Sequence, residues 1–166
     1  MLALPLGAKV FATQEQGVAE AFPAADRIDE RTFVLDEAEK EAVEKAARAP
    51  LDSRIHKFYV ARRGDETLGY AYIDVHTVRT LPEALLVAVG ADGRVRSVRV
   101  LAFHEPLDYL PVARWFRQFE GKRPGDRLRL DRDIDGTSGA TLTSRAAVDA
   151  VRRVLALYSL LLAKEG

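Results

Sequence analysis

Residues 135–144, Asp-Gly-Thr-Ser-Gly-Ala-Thr-Leu-Thr-Ser, concentrate glycine and hydroxyl side chains just ahead of a long helical pattern. The first turn of a helix carries backbone N–H groups that have no partner inside the helix, together with the positive end of its dipole. An anionic phosphate therefore binds there readily. Gly139 and Ala140 lack the bulk that would keep a phosphate away from the backbone, and Ser138, Thr143 and Ser144 offer hydroxyl donors. Thr141 stands at or near the first helical turn, where its oxygen can act as a nucleophile. The run points to a phosphorylated ligand.

Other readings of the same residues fail on chemistry. Asp131, Asp133 and Asp135, followed by Gly136, open like a calcium-binding loop, but the closing bidentate glutamate is replaced by Leu142. A nucleotide triphosphate loop needs wider glycine spacing and a lysine before the Ser or Thr, and neither is present. A dinucleotide fingerprint lacks its third glycine and its parallel-strand setting.

The elements that must position this run can be read from periodicity and caps. Thr13-Gln-Glu-Gln16 has capping-box spacing and predicts a helix that Pro23 stops. Residues 27–35 alternate as a strand. Asp36 with Glu39 caps a second helix, with Glu41 and Lys45 paired on its wet side and Pro50 at its end. Period-two patterns then predict strands over 55–61 and 68–78 through Gly64-Asp65, and over 84–89 and 95–103 through residues 90–93. Val98, Val100 and Ala102 are expected to share one face, with His104 continuing it if the strand runs on. Residues 112–119 carry Trp115, Phe116 and Phe119 in a short helical pattern, with Trp115 expected in the core. Leu128 and Leu130 suggest a short strand, and residues 142–162 a long helix. Helices at both ends and strands between them predict an α+β fold: a mainly antiparallel sheet with helices packed against it, in a single domain over 1–166.

Composition bounds the function. The 166 residues are 48% hydrophobic and 30% charged, with 25 basic and 25 acidic side chains. Zero formal net charge gives no basic face for bulk phosphate neutralisation and so argues against nucleic acid. The clusters Arg62-Arg63, Arg94 to Arg99, Lys122-Arg123 and Arg127 to Arg132 read as solvated strand faces and turns. The absence of cysteine removes thiolate and disulfide chemistry. His56 and His76 lack ligand-like spacing. The apolar start, Met1 to Ala8, is short for a leader and reads as a leader remnant or an ordered first segment. The run 154–163 is too short to span a membrane and reads as the buried end of a core helix.

Asp135-Gly-Thr-Ser-Gly-Ala-Thr141 resembles the flavinylation motif Asp-x-x-Ser/Thr-Gly/Ala-Ala-Thr of the FMN-binding domain family, which includes the C subunit of the sodium-pumping NADH:quinone reductase and the Rnf complex G subunit. Residues 85–106, running from a strand hairpin into His104-Glu105, and residues 115–122, ending in Gly121-Lys122, are similar to the family's upstream segments. The resemblance covers about residues 84–150. It departs at His104-Glu-Pro-Leu-Asp-Tyr109, where the sodium-pump subunit has a Glu-Thr-Pro-Gly-type loop.

This resemblance implies FMN joined by a phosphoester to Thr141, with a flavin transferase taking FAD and releasing AMP. It implies contacts to cofactor or phosphate from Asp135, Ser138, Gly139, Ala140, Thr143, Ser144 and Lys122. Asp135 either braces the turn, assists proton loss from Thr141 or serves recognition by the transferase. His104, Glu105 and Tyr109 are the candidates for ring contacts, each with a structural alternative. The implied function is electron transfer between redox partners, membrane-bound or not, on the extracytoplasmic side of a bacterial membrane. The alternative is a flavin-dependent oxidoreductase acting directly on a small soluble substrate; a third reading is a binding module with unmodified Thr141.

Overall fold

The computed structural model describes residues 9–165, so the apolar stretch 1–8 lies outside the described residues. Both predicted capping boxes close. Thr13 and Gln16 exchange side-chain and backbone bonds at the start of α1 (Gln14–Ala21), and Asp36 and Glu39 do the same for α2 (Glu37–Ala47). The ion pair on α2 differs from the expected one. Lys40 meets Glu44 at 2.8 Å, and the same Glu44 oxygen accepts the Leu51 N–H at 2.8 Å. That second bond holds the carboxylate within reach of Lys40. α2 ends at Arg48 in the left-handed region (φ 52°), two residues before Pro50.

Among the described residues six strands form one antiparallel sheet: β1 (Lys9–Val10), β2 (Arg27–Val34), β3 (Ile55–Arg63), β4 (Glu66–Thr77), β5 (Pro82–Gly90) and β6 (Val95–Phe103). Their spatial order is β1-β6-β5-β4-β3-β2, so β2 to β6 follow one another across the sheet and β1 closes the far edge beside β6. A two-residue strand has no periodicity to read, and β1 is invisible in the sequence. Gly64 turns the β3–β4 hairpin at φ 58°.

The long helix α3 (Thr141–Leu161) and α2 cover one face of the sheet, while α1 covers part of the other. Tyr70, Leu85, Val87 and Val89 point toward α3, where Ala147, Val151, Val154 and Tyr158 complete the main core. Ala61, Ala71, Leu86, Ala88 and Leu101 form the second cluster with Val18 and Phe22. The α+β architecture expected from the sequence is the one observed.

Two further local expectations are corrected. The first concerns the face shared along β6. Leu85 pairs with Val100 but Ala84 pairs with Ala102, which leaves Leu101 as the extra residue of a bulge. Because one extra residue reverses the inside–outside alternation, Ala102 lies on the opposite face from Val98 and Val100. The second concerns residues 128–130, which form no strand. The Arg129 carbonyl accepts N–H bonds from Asp133 and Ile134, folding the chain back on itself and leaving a single bridge between Leu130 and Ile134. Leu128 is buried all the same.

Candidate functional site

Thr141 is the first residue of α3 and is exposed to solvent. Ala140 occupies the cap position, and no side chain caps the helix there. The Ser144 N–H bonds to the Ala140 carbonyl at 2.9 Å, which begins the helical ladder. Among the described residues, the N–H groups of Thr141, Leu142 and Thr143 have no acceptor. Gly139, at φ 79°, turns the chain into this helix, and a Cβ added there would meet nothing within 4 Å. A long helix thus begins with free donors, an open approach and a hydroxyl at its first position.

The loop before α3 is held from the aromatic side. Residues 113–119 form a 3₁₀ helix in which Trp115 packs edge-on against Phe116 and Phe119, at centroid distances of 5.1 and 5.5 Å. The Trp115 indole N–H donates to the Asp135 carbonyl at 2.7 Å, and the Asp135 N–H donates to Gln118 Oε1 at 2.8 Å. Trp115 is therefore a core residue, as expected, and its polar edge fixes the backbone of Asp135. Asp133 pairs with Arg129 at 2.8 Å, and the Asp131 carboxylate lies against Gly136. These two carboxylates are separately engaged.

Three segments meet around Thr141. The Thr143 hydroxyl donates to the Tyr109 carbonyl at 2.6 Å and ties the short turn Leu107–Tyr109 to α3. One Glu105 oxygen accepts the N–H groups of Arg79, Thr80 and Leu81 at 3.1, 2.8 and 2.9 Å. The amides of Thr80 and Leu81 hold this carboxyl below the usual glutamate range. The turn that Glu105 braces carries Arg79, whose guanidinium lies 4.6 Å from the centre of the Tyr109 ring. Arg79, Tyr109 and residues 139–143 line a pocket of about 220 Å³.

The sequence-derived site residues divide accordingly. Gly139, Ala140, Thr141, Thr143 and Tyr109 come together in the pocket. Ser138 is exposed just before it, and Asp135 is exposed on the loop held by Trp115 and Gln118. The hydroxyl protons of Thr143 and Ser144 point elsewhere: Thr143 donates to Tyr109, and Ser144 donates to the Ala140 carbonyl at 2.8 Å. The half-buried His104 continues the β5–β6 ladder through its N–H to Pro82, and neither it nor Glu105 lines the pocket. Lys122 also lies outside the lining, with its carbonyl bonded to the Val95 N–H at 2.8 Å.

Sequence reasoning missed Arg79, the cation that does line the pocket. It sits in a hairpin turn, where an arginine has no local signal to separate it from a solvated one. A buried polar network beneath that hairpin was missed as well. His76 bonds Asp74 at 2.8 Å and Glu83 at 2.9 Å, and Arg153 of α3 grips both Asp74 oxygens at 2.9 and 2.8 Å. Burial lowers His76, but the two carboxylates outweigh it and hold the imidazole at about 9. Burial raises Asp74, but His76 and Arg153 bring it down to about 2. Burial dominates at Glu83 and pushes it above its ordinary value.

An antiparallel sheet backed by a helix with free N-terminal donors, an exposed hydroxyl and a nearby arginine defines a domain suited to a phosphate-bearing ligand. Residues 82–156 match the family model of the FMN-binding domain. The chain is similar to the G subunit of the ion-translocating oxidoreductase complex of Erwinia tasmaniensis, with 31% identity over 116 residues, covering 59% of this chain and 53% of the relative. It is also similar to the protein of the same description from Cereibacter sphaeroides, with 33% identity over 129 residues, covering 66% of this chain and 56% of the relative. The chain thus spans about half the length of these curated relatives. The crystal structure of Shewanella oneidensis NqrC shares the fold, with a TM-score of 0.55 and 16% identity, covering 84% of this chain and 82% of that one.

Proposed function

We propose that this protein is an electron-transfer flavoprotein carrying FMN through a phosphoester on Thr141, relaying electrons between redox partners at the extracytoplasmic side of a membrane. The observation that carries the reading is the start of α3: an exposed Thr141 hydroxyl beside three N–H groups without acceptors. Those donors suit phosphate oxygens, and Arg79 adds a positive charge from across the pocket. The exposed Ser138, just before the pocket, is a further hydroxyl donor in this reading. Of the three proposed ring contacts, Tyr109 alone shares the pocket lining with the attachment residue, held to α3 through Thr143.

Attachment by a flavin transferase balances simply. The Thr141 oxygen loses its proton and forms the new P–O bond, while the pyrophosphate bond of FAD breaks and AMP leaves. The chemistry supplied by bound FMN is the acceptance and release of one or two electrons. The protein's share is retention, because an ester bond abolishes dissociation where no free flavin pool exists. The pocket lining contains neither His104 nor Glu105, which favours a carrier over an enzyme with its own acid–base pair. The names of the relatives, subunits of an ion-translocating oxidoreductase complex, support redox partners. Among the described residues no helix is long and apolar enough to cross a membrane.

The test is intact mass after co-expression with a flavin transferase. The expected result is a gain of one FMN less water, lost in Thr141→Ala. An unchanged wild-type mass beside a transferase that modifies a control substrate overturns the covalent reading.

A further inference from the structure

A second and larger cavity lies away from Thr141. It is a cleft of about 520 Å³ between α2, the C-terminal half of α3 and the loop 123–128. Arg152 and Leu160, which line it, stand 11 and 19 residues along α3 from Thr141, or roughly 16 and 28 Å at the helical rise. It is therefore separate from the attachment pocket.

Its lining joins two chemistries. Val43, Leu155 and Leu160 supply an apolar wall. Arg48, Arg123, Arg127, Arg152 and Lys164 supply positive charge, against the single lining acid Asp126. That imbalance stands out in a chain whose formal net charge is zero. Asp126 is already engaged by Arg123, through its N–H at 2.9 Å and its side chain at 3.9 Å. Arg152 pairs with Asp149 and donates to the Leu128 carbonyl, yet its Nε is buried without an acceptor. Among the described residues, Arg48 and Arg127 have no acidic partner.

We propose that this cleft binds an amphipathic anion, with a phosphate or carboxylate head among Arg48, Arg127 and Arg152 and an apolar chain along Val43, Leu155 and Leu160. A volume of this size falls within the range of small-molecule sites, and a few converging polar groups on an apolar wall are their usual composition. Charge-assisted bonds from arginine favour phosphate and carboxylate heads. The apolar wall gives an affinity for the chain that a bare anion cannot gain. The head can come from a membrane lipid or from a free amphiphile. The cleft acts independently of flavin attachment.

The test uses the full chain, with calorimetric titration of dodecyl phosphate below its micelle concentration and of inorganic phosphate. The expected result is saturable binding of dodecyl phosphate and at least about tenfold weaker binding of inorganic phosphate. Arg48→Gln/Arg127→Gln neutralises two exposed side chains and is expected to weaken dodecyl phosphate about tenfold or more, with an unchanged far-ultraviolet circular dichroism spectrum. Sedimentation with phosphatidylglycerol vesicles, compared with phosphatidylcholine, separates the sources: selective sedimentation that the double variant loses assigns the head to a lipid, and solution binding alone assigns it to a free amphiphile. No saturable binding, equal binding of inorganic phosphate, or undiminished binding by the double variant overturns the proposal. Thr141→Ala is expected to bind dodecyl phosphate as the wild type does.

Discussion

Thr143 and Glu105 carry little chemistry of their own, yet they assemble the pocket beside Thr141. Thr143 is 1% exposed, and its side-chain bond runs to Tyr109. Thr143→Ala removes that donor and leaves the Tyr109 carbonyl short of a partner, at a cost of about 1–2 kcal/mol, measurable by urea unfolding. Glu105→Ala releases three turn amides at once and should reduce FMN loading by freeing Arg79. Glu105→Gln keeps an acceptor oxygen and should load much closer to wild type; equal loading by both variants would remove the bracing role. Thr141 and its neighbours were legible because a motif is local. Arg79 was not, because the bonds that place its turn come from Glu105, 24 to 26 residues away.

Between elements, the buried network joins β4, β5 and α3. His76 is the group whose titration should be visible. Its folded value of about 9 lies above the ordinary 6.5, so the folded state holds a proton that the unfolded state releases. Stability from this group is fully present below 6.5 and is lost as pH rises through about 9. Urea midpoints are expected to fall across that window, with a smaller fall in His76→Gln; a flat or rising wild-type profile would count against the network. The β4–β5 pairing offers a packing test as well. A Cβ on Gly69 would stand 2.4 Å from the Val89 carbonyl and 2.6 Å from Phe22. Gly69→Ala should therefore cost about 1–3 kcal/mol through overpacking, read from the same urea curves. Strand existence was legible from alternation, whereas the bulge at Leu101 depends on pairing with β5 and left no local mark.

At the scale of the whole molecule, the two hydrophobic clusters lie on opposite faces of a shared sheet, so neither can lose its support alone. We propose that the chain folds as a single domain. Urea transitions followed by Trp115 fluorescence and by far-ultraviolet circular dichroism should then coincide. Two separated transitions would divide the molecule. Placement of the two pockets toward opposite ends of α3 also lets the proposed flavin attachment and the proposed amphiphile binding be assayed independently.

By itself the sequence determined both capped helices, the antiparallel strands β2 to β6, the long helix and the hydroxyl-rich turn that precedes it. Each depends on residues a few positions apart, where caps, turns and periodicity act. Tertiary structure decided which donors remain free, which cation lines the pocket and how the buried charges pair. Asp74 and Arg153 are 79 residues apart in the chain, and only the packing of α3 on the sheet brings them within 2.8 Å. The hydroxyls of Thr143 and Ser144 show the same division: their presence was readable, but their bonds to Tyr109 and Ala140 were settled by the neighbours that folding supplied.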